Sequence, residues 1–85
     1  MARIIDGGNM NIVGKNVRKY RRMRKMSQQE LSGKLEIMAI YICRGSVSRI
    51  EDMSRTVTDI ELYGLARVLD VPISDLYDTS LIDNY

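Results

Sequence analysis

Two short stretches carry the residues with usable chemistry, Ser27-Gln28-Gln29-Glu30-Leu31 and Val47-Ser48-Arg49-Ile50-Glu51. Amides, hydroxyls and guanidinium groups are hydrogen-bond donors suited to phosphate oxygens and base edges, and do not form a nucleophile–base pair. Just upstream, Lys15 to Lys25 holds Lys15, Arg18, Lys19, Arg21, Arg22, Arg24 and Lys25 with no acid among them. Residues 1–50 carry eleven Lys/Arg against Asp6, Glu30 and Glu36, a net +8, whereas residues 51–85 carry Arg55 and Arg67 against eight acids, a net −6. One basic end and one acidic end favour a polyanion on one side of the molecule only.

Other chemistries find no residues. The chain has no histidine and a single cysteine, Cys43, with no evident base beside it in sequence. It has no Gly-rich phosphate loop and no spaced set of metal ligands, so neither an enzyme nor a cofactor or metal protein is expected. Asp59 and Glu61 lie close together, but helix capping accounts for them. No apolar run approaches the roughly 18 residues of a membrane span, and Met1–Met10 lacks a signal-peptide apolar stretch. A cytoplasmic protein is expected. Eighty-five residues suffice for one small core, so no separate sensor domain and no small-molecule ligand are expected.

The elements that must hold these residues follow from periodicity. Residues 1–11 show none and read as a flexible segment whose only cation is Arg3. From Asn11 or Ile12 the spacing of Val13, Val17 and Tyr20 predicts a helix, closed near Met26. Ser27 with Glu30 makes a capping box for a second helix, whose inner face is Leu31 and Leu35. Val47, Ile50 and Met53 mark a third. Thr58 with Glu61 is a second capping box, opening a helix with Leu62, Leu65, Ala66 and Leu69 inside. Pro72 stops that helix, and Ser74 starts a final turn through Leu76 and Tyr77. The expectation is an all-α fold, a compact bundle of about five short helices over residues 12–78, with a tail at 79–85.

Five segments, in this order, resemble the lambda-repressor/Cro-like helix-turn-helix family. They are Val13-Gly14-Lys15-Asn16-Val17-Arg18, the Ser27–Leu31 and Val47–Glu51 stretches, Leu65-Ala66-Arg67-Val68-Leu69-Asp70-Val71, and Ile73-Ser74-Asp75-Leu76-Tyr77. The resemblance implies a DNA-binding regulator with helix two across the phosphate backbone and helix three in the major groove. It matches Arg44, Gly45, Ser48 and Arg49 to groove-facing positions. Arginine there suits guanine, at about 1–3 kcal/mol of discrimination per good pair. Gln28 and Ser46 match phosphate-contacting positions, and Lys15, Asn16 and Arg55 are further backbone candidates. Arg21 matches an arginine that pairs with the acid at Glu51, a structural link outside the DNA contacts.

The chain departs from the family pattern in its turn. Where a tight turn, often Gly, is usual, Glu36 stands, followed by Ile37, Met38, Ala39, Ile40 and Tyr41. A solvated loop is not built from such residues. Either helix two lengthens by about a turn, or the insertion folds back over the core, or it offers an apolar patch to a protein partner at Ile37–Ile42. Cys43 is expected to be a half-buried small residue.

The family resemblance implies a homodimer on a pseudo-palindromic double-stranded operator, acting most simply as a repressor. The expected dimer surface is Ile73, Leu76, Tyr77, Leu81 and Ile82, with the insertion as the second candidate. The competing reading is a protein-interaction module of the same fold, antitoxin-like or a docking subunit.

Overall fold

Four α-helices form, each where an apolar stripe meets a start signal, and the computed structural model describes them within residues 8–81. They are α1 (Gly14–Met23), α2 (Gln28–Ile37), α3 (Arg44–Glu51) and α4 (Asp59–Leu69). Two 3₁₀ turns follow, Ile73–Leu76 and Thr79–Leu81. There is no strand among the described residues, so the protein is all-α. The expected fifth helix is the first of these turns. It begins directly after Pro72, whose carbonyl accepts from the Asp75 N–H. Residues 1–7 of the expected flexible segment, and residues 82–85 of the tail, lie outside the described residues.

Both capping boxes form. Ser27 Oγ accepts from the Glu30 N–H while Glu30 returns to the Ser27 N–H, and Thr58 and Glu61 repeat the arrangement. Helix α1 starts differently. Buried Asn11 accepts from the N–H groups of Val13 and Gly14 and donates through Nδ2 to the carbonyls of Ile50 and Arg55. Its amide therefore opens α1 and ties it to the end of α3. Asn11 belongs to the folded domain, although its lack of periodicity groups it with the flexible segment.

All four α-helices end alike, and none of them ends on glycine. Lys25, Ala39, Met53 and Asp70 have φ of 57°, 59°, 60° and 58°. Each is followed by an N–H that reaches back five residues, Met26 to Arg21, Ile40 to Leu35, Ser54 to Arg49 and Val71 to Ala66. These are Schellman closures, in which the left-handed residue satisfies the last carbonyls of the helix. The third helix thus stops at Glu51, and Met53 forms its closing turn.

The lengthened turn divides its residues between core and surface. Helix α2 runs two residues past Leu35, Ala39 reverses the chain, and Ile40 and Ile42 return to the core at 8% and 2% exposure. Ile37 and Tyr41 stay outside at 86% and 76%. Gly64 of α4 makes room, because a Cβ there would strike the Ile40 side chain and press on Leu35. The core is completed by Val13, Val17, Leu31, Val47, Ile50, Leu65, Ala66, Leu69 and Leu76, with Tyr20 and Met26 against it. Gly14 lets α1 touch α3, since a Cβ there would collide with the Ile50 carbonyl.

Candidate nucleic-acid interface

Helix α3 is short, and its inner face explains how its outer face is presented. Val47 and Ile50 have no exposed surface, and Glu51 is buried beside them. Arg44, Gly45 and Arg49 are exposed and Ser48 is half-buried. Gln28, the first residue of α2, lines one open recess together with Arg44, Gly45 and Ser48. Four residues assigned to DNA from the sequence are thus brought together where the start of α2 meets the outer face of α3. The first-turn N–H groups of a helix favour anions by dipole and geometry.

Arg49 Nη2 donates to Ser46 Oγ at 3.0 Å, which gives this flexible arginine a preferred starting pose. Cys43 caps α3 with no side-chain bond to its backbone. It is exposed, not half-buried, because the N-cap position lies outside the packed face. The neighbouring Ser46 hydroxyl, first among several contacts, lowers its thiol pKa.

Beneath the recess, one carboxylate gathers the elements. Arg21 donates to Glu51 through Nε at 2.6 Å and through Nη2 at 3.0 Å. Arg18 Nε reaches the same carboxylate at 3.3 Å, and Gln28 Nε2 at 3.1 Å. Burial alone would raise the Glu51 pKa, but these donors outweigh it and hold the group below the usual carboxylate range. No buried side-chain polar atom among the described residues is left without a partner.

Three expected phosphate contacts stand apart from the recess. Lys15 is exposed near the start of α1. Asn16 donates to the Leu76 carbonyl at 3.1 Å, tying α1 to the C-terminal turn. Arg55 forms a two-pronged pair with Glu61, at 3.0 and 2.8 Å, so its charge is already matched. Asn16 and Arg55 are therefore engaged inside the domain, and we leave them out of the interface.

The expected dimer surface also needs correction. Leu76 is a core residue with no exposed area, because the first 3₁₀ turn folds under α1 and α4. Ile73 and Tyr77 are exposed, Leu81 is half-buried, and Ile82 lies outside the described residues. Sequence reasoning also missed Arg24, which donates to the carbonyls of Leu69 and Asp70 and so closes α4 from α1. No local pattern marks such a contact between residues 45 apart.

Among the described residues no group of three or more potential ligands could hold a metal ion, and no helix is long and apolar enough to cross a membrane. The fold, with α2 packed on α3 and Gln28 beside the outer face of α3, defines a helix-turn-helix protein. The helix-turn-helix family profile matches residues 17–76, and the chain belongs to that family, in its lambda-repressor/Cro-like branch of DNA-binding transcriptional regulators. Among solved structures it is similar to the restriction-modification controller protein C.AhdI from Aeromonas hydrophila. That match has 25% identity and a TM-score of 0.67, covering 76% of this chain and 87% of that one. The DNA-binding domain of BldD shares the fold at 23% identity and a TM-score of 0.66, covering 82% of this chain and 94% of that one. No curated protein sequence matches the chain.

Proposed function

We propose that the protein is a sequence-specific repressor that binds a pseudo-palindromic operator as a homodimer in the cytoplasm, with α3 in the major groove. The observation that carries this reading is the meeting of Gln28, Arg44, Gly45 and Ser48 at one open recess, with α3 anchored beneath it by Val47, Ile50 and Glu51. Arg44 and Arg49 read guanine, Gly45 admits the backbone closely, and Ser48 adds a hydroxyl at a base edge. Gln28, Ser46 and Lys15 hold phosphates. Two-fold symmetry would set the recognition helices about 34 Å apart. Exposed Ile73 and Tyr77, together with half-buried Leu81, are the proposed self-contact. The names of the two similar structures, a controller protein and a DNA-binding domain, agree with this reading.

The test is selection from a random duplex pool at near-physiological salt. An inverted repeat with guanine-containing half-sites is expected. Binding without enrichment, fading as salt rises, would leave only backbone attraction and sink the operator reading. The second reading, a protein-interaction module, is favoured by one observation, the exposure of Ile37, Met38 and Tyr41 in the lengthened turn. A pull-down that an Ile37→Glu variant abolishes would support it.

A further inference from the structure

We propose that Glu51 is a positioning residue for DNA binding. It orients the carboxamide of Gln28 toward a phosphate and couples that clamp to the pose of the recognition helix. The inference rests on the DNA-binding reading above and adds a task to a residue that the family resemblance gave only a structural pair.

The chemistry of the contact carries the argument. An ionised carboxylate only accepts hydrogen bonds, so the amide atom facing Glu51 Oε1 at 3.1 Å must be Gln28 Nε2. One of the two N–H bonds on that nitrogen is thereby taken. Amide planarity then fixes the second N–H, which no other side chain or carbonyl of the described residues accepts. A free glutamine turns about three side-chain bonds and presents its oxygen as readily as its nitrogen. An oxygen facing a phosphate would repel it. Glu51 removes that alternative before DNA arrives, which lowers the cost of ordering on binding.

The carboxylate can do this because it cannot itself move. Its side chain has no exposure, and Arg21 grips it from α1 through two hydrogen bonds. Arg18 adds a third donor at the rim. Since Glu51 is the last residue of α3 and Gln28 the first of α2, a shift of α3 against α2 changes the contact. Phosphate grip and groove reading therefore succeed or fail together.

A double-mutant cycle on the selected duplex tests this, using Gln28→Ala, Glu51→Gln and the pair, all measured below their melting transitions. Each single change should weaken binding by about tenfold, and the double change by little more than either alone. Independent effects multiplying to about a hundredfold would overturn the inference. Should Glu51→Gln fail to fold, nuclear magnetic resonance of the wild-type protein decides instead. The two Gln28 side-chain amide protons should be widely separated in shift and should move as Glu51 is protonated in acid. Shifts like those of a solvated glutamine would overturn the inference. Wild-type protein that binds no duplex would remove the DNA reading itself, an outcome distinct from independent effects in a protein that does bind.

Discussion

The Ile40 N–H donates to the Leu35 carbonyl at 3.0 Å, closing α2 around a left-handed Ala39. This bond converts an apolar insertion into a longer helix with a hydrophobic anchor. Ile40 follows the left-handed residue, where such closures often carry an apolar contact back to the helix. The insertion is therefore held against the core at Ile40 and Ile42. It moves the turn three residues along and leaves Ile37, Met38 and Tyr41 on the surface.

Because Ala39 is strained where glycine would be at ease, Ala39→Gly should stabilise the domain. Relief of the Cβ contact outweighs the extra freedom of the unfolded chain, a net gain of about 0.5–1 kcal/mol. Thermal unfolding should move upward by a few degrees. An unchanged or lower midpoint would show that the left-handed turn costs nothing here.

Gly14→Ala should do the opposite. The new Cβ meets the Ile50 backbone carbonyl, which cannot turn aside as a side chain could. A loss of about 1–3 kcal/mol is expected, measured by urea unfolding. Full stability in this variant would mean that α1 and α3 are less closely joined than described.

Removing one partner of a buried pair strands the other. Arg21→Met should lower stability by about 3–5 kcal/mol, because Glu51 would keep its charge without its main donor. Arg18→Met should cost under about 1 kcal/mol, since Arg18 is 40% exposed at its side chain. Equal losses in the two variants would reject this ranking.

Acid should loosen the domain in a defined direction. Arg55, first among its partners, lowers the Glu61 pKa, and the donors around Glu51 lower that group despite burial. Both groups titrate near 4.5 when unperturbed, so their stabilisation is complete above about that pH. It is lost as the pH falls through their lower folded values. A melting temperature that holds constant down to about pH 3 would contradict these pairs.

Base readers and phosphate clamps separate by the pattern of loss. Arg44→Ala should flatten preference at one base position at a cost of about 1–3 kcal/mol for the preferred base, whereas Gln28→Ala should weaken all duplexes alike. Selection repeated with each variant distinguishes the two. Uniform loss in both would place Arg44 on the backbone.

The chain's own residue order determined the all-α fold, the two capping boxes and the apolar stripes of all four helices. Each of these depends on residues three or four apart, whose geometry a helix supplies without help. Family likeness added the pairing of Arg21 with Glu51. The exact closing residues of the helices were not legible, because no glycine marks them and the left-handed conformation falls instead on Lys25, Ala39, Met53 and Asp70. Asn11 bonded to the end of α3, Arg24 closing α4, Leu76 inside the core and Gln28 on Glu51 join residues 23 or more apart or burial that depends on them. Only the tertiary arrangement decided these, since a buried donor takes whichever acceptor folding brings within reach.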